Sequence, residues 1–522
     1  MGKIVIDPVT RIEGHLKVEA TVENGVVKDA RTTGNLFRGF EIILRGRDPR
    51  DAQIITQRIC GVCPQSHGIA ATLNLDSAFG ISDKIPDNAR IIRNLIQGAH
   101  IVQDHILHFY HLTALDYVNV ADVAKYEGND SQLNSIKDFI ARGELGPFMP
   151  RYEGDYRLPP EVNQQAVAHY VKALEIRRIG HEAVSIFSGK IPHSVGVVPG
   201  GVTSVPTPDN IMAYIWKIKI LQDFIDNVYI PDVMAVAGAY MDYAEIGAGC
   251  RNLLAYGSFD LDGSSPDYTT RERLFKQGTV SADLKPGDLD TDKITEYVRH
   301  SWYEDSTSGR HPSQGDTKPQ YGKKDAYSWT KAPRYDDKVY EVGPLARVAV
   351  TYAKGDPVMK ELVDGALSKL KAPPSALFSV LGRHLARALS AKFITDALEG
   401  WALQLKPGEP TYCEYEIPDE ATGMGLTDAA RGALGHWIEI KDKKIANYQC
   451  VVPTTWNVSP MDDNGQHGPI EQAIIGTKIK DEKNPFEIVR IIRSFDPCLA
   501  CSIHMVSPKG RDLGKFRVVR AF

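Results

Sequence analysis

At 522 residues the chain exceeds the size at which a single hydrophobic core usually stops growing, so length alone favours more than one domain. Its 43% hydrophobic and 24% charged residues are ordinary globular composition, and a net charge of −5 gives no electrostatic reason to expect nucleic acid or an anionic membrane as partner. No apolar run reaches the roughly 18 residues of a spanning helix; the most hydrophobic helix-like segment, Ile211 to Ile220, is interrupted by Lys217 and Lys219.

The N-terminus reads as a strand, Lys3 to Ile6, and not as a signal peptide. Leu16 to Val22 alternates as a second strand, and Asn24-Gly25 supplies the turn to Val26-Val27. Between the first two strands lies Asp7-Pro8-Val9-Thr10-Arg11-Ile12-Glu13-Gly14-His15, where Arg11 and Glu13 taken alone read as a surface ion pair. Phe37-Arg38-Gly39-Phe40-Glu41 then leads into a short helix through Leu44, on which Glu41 by itself reads as solvated. A pair of cysteines three apart follows in Arg58-Ile59-Cys60-Gly61-Val62-Cys63-Pro64-Gln65-Ser66-His67.

Long helical patterns fill the middle. Ala89 to Leu115 places Ile92, Leu95, Ile96, Val102 and Ile106 at helical intervals, with Asp104, His105, His108 and His111 in the same stretch. The three histidines share a face only partly, so they are expected to be hydrogen-bonded core residues and not ligands. Pro160 to Ser188, Asn210 to Tyr243 and Ser375 to Leu405 read as further helices. The Gly/Pro loops at 189–193 and 199–203 allow close backbone approach. From about 258 to 338 the chain turns polar and reads as a surface excursion. Strands return at Trp437 to Ile440 and Ile445 to Val452, preceded by the Gly-bracketed Arg431 and followed by Pro453-Thr454-Thr455-Trp456-Asn457. The fold class expected is α+β, with a long central helix bundle and peripheral sheets or hairpins near both ends.

The last motif is Asp496-Pro497-Cys498-Leu499-Ala500-Cys501-Ser502-Ile503-His504. Seven cysteines scattered over this length would give roughly 0.08 such pairs by chance, so two are no accident. Two cysteine pairs admit a four-thiolate zinc site, an iron–sulfur cluster, a redox dithiol, or a catalytic transition-metal centre with open positions. A zinc staple between such distant segments is odd for a chain able to bury its own core. Only the catalytic centre accounts for the Arg, His and carboxylate residues around both pairs. A site built from both ends also argues for one continuous unit.

RICGVCPQSH (58–67) and DPCLACSIH (496–504) closely resemble the first and last cysteine signatures of the large, catalytic subunit of nickel–iron hydrogenases. The likeness extends through DPVTRIEGH (7–15), RGFE (38–41), GKIPHS (189–194), GGVT (200–203), EVGPLAR (341–347), RGALGHW (431–437) and VVPTTWN (451–457). The resemblance implies that all four thiolates bind nickel, Cys60 and Cys498 terminally and Cys63 and Cys501 bridging to an iron that carries carbon monoxide and cyanide. It implies H2 cleavage with Cys498 as first proton acceptor and Glu13 next. It further implies that Arg431 stands over the site with Asp104 and Asp496 as its carboxylates, that Thr454 and Pro453 face the iron ligands, and that His67 donates toward a bridging sulfur. Glu41, the Cys450 backbone carbonyl and His504 match a magnesium site.

The same resemblance implies an iron–sulfur small subunit, a maturation endopeptidase and nickel-insertion proteins, and a membrane cytochrome b or quinone-linked subunit. It divides the chain into a single domain over 1–504 and an extension over 505–522 removed on maturation. The expected place is the periplasmic face of the cytoplasmic membrane, reached with the small subunit, or else the cytoplasm. The rival readings are an H2-sensing relative, a metal-free structural relative and a zinc-stabilised binding protein.

Overall fold

The computed structural model describes residues 2–144 and 146–502. Strands β1 (Gly2–Ile6), β2 (Leu16–Glu23) and β3 (Val26–Gly34) form an antiparallel sheet in that order. Leu16, Val18, Ala20 and Val22 of β2 all point inward, the period-2 pattern of a strand with one buried face. The short helix α1 is Phe40–Leu44. Helix α2 (Pro64–Ala78) begins directly after Cys63, with Pro64 at its first position, where the missing N–H has no partner to lose.

The expected helix over 89–115 is α3 (Asp87–Leu107), prolonged by a π-turn at His108–Thr113 and a tighter turn at Ala114–Asp116. Helix α4 runs Pro160–Ser188, the span expected. The stretch from Asn210 to Tyr243 is not one helix: α5 (Pro208–Phe224) passes through a π-turn at Ile225–Tyr229 into α6 (Ile230–Ala239). Thr207 caps α5 by accepting from the Asn210 N–H at 3.2 Å. Helix α7 is Val380–Ala402, capped by Ser379. Helix α3 packs against α4 and α7, and α5 closes the bundle against the same two.

A second antiparallel sheet holds β4 (Glu420–Ala429), β5 (Gly432–Lys441) and β6 (Lys444–Val451). Helix α2 lies against β4 at backbone distance. A Cβ at Gly425 would stand 2.1 Å from the Ala70 carbonyl oxygen, and one at Gly423 2.3 Å from that of Asn74. Helix α8 (Phe486–Ser494) then leads to the last cysteine motif. The molecule is thus α+β, with helices at its centre, a three-stranded sheet from each end segment and further small hairpins from the middle of the chain.

The polar stretch at 258–338 corrects the expectation of a surface excursion. It forms short hairpins, and its later part enters the interior: Trp329 stacks on Phe37 at 4.9 Å, and Arg334 is fully buried against Asp462 at 2.6 Å. Composition misleads here because these charges are paired inside the protein instead of solvated.

Candidate metal centre

Backbone and side-chain hydrogen bonds bring the two ends of the chain together. The Leu499 N–H donates to the Glu13 carbonyl at 2.8 Å and the Glu13 N–H to the Pro497 carbonyl at 3.3 Å, a parallel bridge between Glu13 and Cys498. Gly14 makes this approach possible: its φ is +80°, and a Cβ there would lie 2.7 Å from the Leu499 Cβ. The Arg38 guanidinium clamps both motifs at once, donating from one nitrogen to the Ile59 carbonyl and to the Ala500 carbonyl, the latter at 2.5 Å. Each of those carbonyls sits one residue ahead of a cysteine.

The result is four buried, unbridged thiols whose sulfurs all lie within 4.8 Å of one another: Cys60, Cys63, Cys498 and Cys501. Cys60 and Cys498 are 3.3 Å apart, Cys63 and Cys501 3.0 Å, and Cys498 and Cys501 3.1 Å. Burial pushes the Cys498 and Cys501 thiols well above the ordinary range, while hydrogen bonds from the other three thiols hold Cys60 well below it. The cluster therefore shares negative charge unevenly, and a metal must displace its remaining protons.

A soft sulfur donor set suits nickel or iron. Beside the sulfurs lies a small cavity, with room for about one water-sized group, lined by Ser66, His67, Arg431, Leu434, Pro453 and Thr454. A closed structural zinc site has no such space; a catalytic centre that keeps positions open requires it. The residues present fit a metal pair of the second kind.

Glu13 stands at the edge of this cluster. Cys498 Sγ donates to its Oε2 at 3.2 Å, and the Ala500 N–H to the same oxygen at 2.7 Å. Burial, with the negative Cys60 adding to it, raises the Glu13 carboxyl above its ordinary range against those two hydrogen bonds and Arg431. The surface ion pair with Arg11 does not form: the Arg11 guanidinium instead donates to Asp116 at 2.7 Å.

Arg431 is the second residue of the two-residue turn that joins β4 to β5, where Ala429 pairs with Gly432, so it is held by hairpin geometry instead of lying in a free loop. It donates to Asp104 Oδ2 at 3.1 Å and to Asp496 Oδ1 at 3.2 Å, with all three residues buried. Burial opposes its charge, but the two carboxylates outweigh that and hold the guanidinium well above its ordinary value. Asp104, most affected by burial, is raised despite Arg431.

Thr454 Oγ1 accepts from the Cys498 N–H at 3.0 Å, which leaves its own proton free to be donated. His67 Nδ1 lies 3.3 Å from His436 Nε2, and His436 Nδ1 2.8 Å from the Tyr448 hydroxyl. Neither His436 nor Tyr448 is singled out by sequence reasoning, although His436 falls within the quoted RGALGHW stretch.

Glu41 is not a solvated helix residue. It is buried, accepts from the Cys450 N–H at 2.9 Å and from the Thr317 hydroxyl, and has Lys331 Nζ at 3.9 Å. Lys331 also pairs with buried Glu296 at 3.1 Å. Two carboxylates and one ammonium leave one negative charge, room for part of a divalent cation's charge. His504, the third expected ligand, lies outside the described residues, as does the extension from 505. Lys331 and Glu296 were hidden in the stretch that composition assigns to solvent.

His105, His108 and His111 are the hydrogen-bonded residues expected: they meet Ser390 at 3.3 Å, the Arg493 carbonyl at 2.7 Å and the Tyr170 carbonyl at 3.1 Å. A larger cavity of about 590 Å³ lies among Asp76, Arg90, Arg93, Asp260, Arg271 and Arg273. Its arginines are all engaged with carboxylates or carbonyls, as in Arg93 with Asp76 at 2.7 Å and Arg273 with Asp260 at 2.8 Å.

A family model described as nickel-dependent hydrogenase matches residues 38–504, and a HoxL-like model matches residues 3–33. The chain is 45% identical over 518 residues to the periplasmic [NiFeSe] hydrogenase large subunit of Desulfomicrobium baculatum, covering 97% of this chain and 95% of that one. It is 40% identical to the uptake hydrogenase large subunit of Bradyrhizobium diazoefficiens, covering 99% and 97%. It is 37% identical to the quinone-reactive Ni/Fe-hydrogenase large chain of Wolinella succinogenes, covering 99% and 98%. The structure of H2-activated [NiFeSe] hydrogenase from Dm. baculatum superposes with a TM-score of 0.86 at 45% identity, over 96% of this chain and 100% of that one.

Proposed function

Because this chain belongs to the nickel-dependent hydrogenase family and is an oxidoreductase acting on H2, we propose that it is the catalytic subunit of an uptake enzyme whose electrons pass to an iron–sulfur small subunit. The observation that carries the reading is the convergence of four buried thiols from both ends of the chain within 4.8 Å, with the Glu13 carboxylate on one of them.

Cys60, Cys63, Cys498 and Cys501 would hold the nickel, and Cys63 and Cys501 the iron as well. When bound, the metal pair supplies the Lewis-acid and redox chemistry that splits H2 into protons and electrons. The Cys498 sulfur receives the first proton, and Glu13 Oε2, 3.2 Å away, takes it onward. Arg431, fixed by Asp104 and Asp496, keeps a positive charge over the cavity. The Thr454 hydroxyl and Pro453 line the cavity where they would meet carbon monoxide and cyanide on the iron, and His67 would donate toward the sulfur cluster. Glu41 and the Cys450 carbonyl would hold magnesium, with Lys331 and Glu296 beside Glu41, and His504 remains the expected third ligand outside the described residues.

Among the described residues Cys250, Cys413 and Cys450 form no second metal-binding group, so electrons must leave to the partner. A membrane cytochrome b or quinone-linked subunit is the proposed acceptor beyond it, at the periplasmic face of the cytoplasmic membrane. The periplasmic and quinone-reactive relatives support that placement, and among the described residues no helix is long and apolar enough to cross a membrane. The family match ends at 504, which supports a single domain over 1–504 and removal of 505–522 by a maturation endopeptidase after nickel insertion.

The test is the nickel, iron and zinc content of this chain, purified with its small subunit and then separated from it. One nickel and one iron per chain, both lost in Cys501→Ala, are expected. Zinc alone in the matured protein would overturn the reading.

A further inference from the structure

Asp116 lies far from Glu13 and from Cys498 in sequence, yet its carboxylate joins the segments that carry them. Its Oδ1 accepts from Arg11 Nη2 at 2.7 Å and from Arg493 Nη1. Arg11 is two residues ahead of Glu13, and its backbone takes a left-handed φ of 55°. Arg493, near the end of α8, is five residues ahead of Cys498; it also reaches Thr10, donating to its carbonyl at 3.0 Å and its hydroxyl at 2.9 Å. Asp116 is fully buried, and its own carbonyl accepts from Arg490 of the same helix.

We propose that Asp116 is a positioning residue that sets the separation of Glu13 and Cys498. The parallel bridge between those two ties their backbones along one line, but two hydrogen bonds leave the Glu13 segment free to pivot about it. The Arg11, Asp116 and Arg493 group is the second point of attachment. It holds the Thr10 to Glu13 turn against α8, so the carboxylate and the thiol face each other at 3.2 Å without either touching Asp116. Two guanidiniums on one oxygen need its negative charge. Asparagine at 116 keeps the shape and an oxygen that both guanidiniums can reach, but without the negative charge each bond weakens and the two buried cations repel one another across it. This inference rests on Glu13 as the proton carrier.

The test uses the matured heterodimer with Asp116→Asn. Exchange of the Glu13 and Leu499 amides with deuterated water is expected to rise at least about tenfold. H2-oxidation turnover per bound nickel is expected to fall about 10- to 100-fold, with a larger solvent deuterium isotope effect as proton transfer becomes limiting. Arg11→Gln should reproduce these changes and Arg11→Lys should restore most of the turnover, which keeps the proposal testable where Asp116→Asn fails to fold. Amide exchange and turnover per nickel unchanged in both Asp116→Asn and Arg11→Gln would overturn it. Full turnover in Glu13→Gln would instead remove the proton-carrier reading, while the amide-exchange result would still decide whether Asp116 holds the two segments together.

Discussion

Glu13 and Cys498, 485 residues apart in sequence, share both a backbone bridge and a 3.2 Å contact between carboxylate and sulfur. The bridge fixes where the carboxylate starts, and the Ala500 N–H at 2.7 Å fixes where it points. One oxygen thus serves the thiol and an amide together. Glutamine in place of Glu13 keeps an oxygen for the Ala500 amide and keeps the side-chain shape, but it cannot carry a proton outward. Glu13→Gln should therefore retain nickel and iron while losing about 10²- to 10⁴-fold in H2-oxidation turnover per nickel. Metal analysis beside the turnover assay checks it; loss of metal along with activity would make Glu13 a structural residue.

Arg38 separates assembly from chemistry. Its guanidinium spans the carbonyls of Ile59 and Ala500 and touches none of the four sulfurs. Glutamine at 38 can bond one carbonyl at most, so the two motifs lose a common anchor. Arg38→Gln should yield protein with less nickel, or nickel lost faster to a chelator, while each loaded molecule turns over at the ordinary rate. Nickel retention and turnover per nickel, measured on one preparation, tell these apart.

Much of this arrangement was legible in the sequence, because cysteine is rare in the chain and the four ligand positions fall in two identical spacings. The strand pattern of β2 and the span of α4 were legible for the same kind of reason, a regular apolar period. Lys331 and Glu296 were not, since charged residues in a Gly- and Pro-rich stretch read as solvated until their partners are known. Proximity in sequence points Arg11 to Glu13, whereas in the structure Arg11 has a left-handed backbone and its side chain reaches Asp116. Pairings set by tertiary packing leave no local signal.

Gly425 tests how Cys63 is placed. Helix α2, which starts just after that cysteine, rests on β4 where a Cβ at 425 would be 2.1 Å from the Ala70 carbonyl and 2.5 Å from the Asn74 nitrogen. Both are backbone atoms, so the helix itself must move. Gly425→Ala should cost about 1–3 kcal/mol in urea unfolding and lower the nickel content.

His467 gives a pH dependence remote from the metals. Its imidazole lies 2.8 Å from buried Glu471 and 3.3 Å from Asp29. The hydrogen bond to Glu471, acting against burial, raises the imidazole above 6.5, its ordinary value. A raised folded-state value means stabilisation that is complete below 6.5 and lost as pH rises through the folded value. The melting temperature of the unaltered protein should exceed that of His467→Gln most in mildly acidic buffer, and the gap should narrow as the pH is raised. A gap independent of pH would show that the ring acts by packing alone.

Arg431 combines stability with chemistry, and two substitutions divide them. Its guanidinium bonds Asp104 at 3.1 Å and Asp496 at 3.2 Å, inside a region where neither carboxylate reaches water. Arg431→Ala leaves both carboxylates without their shared cation, a loss of about 3–5 kcal/mol for a broken buried pair. Asp104 is already raised by burial, and removing Arg431 takes away its largest opposing influence. A carboxyl whose folded value lies above its unfolded value destabilises increasingly as pH rises past the unfolded value, so the deficit of Arg431→Ala should be larger at neutral than at acidic pH. Arg431→Lys restores one positive charge but not the fork that spans two carboxylates. It should recover a large part of the unfolding free energy at neutral pH and little of the turnover per nickel. Equal recovery of both would mean that the charge over the cavity suffices and that the fork geometry plays no part in the reaction.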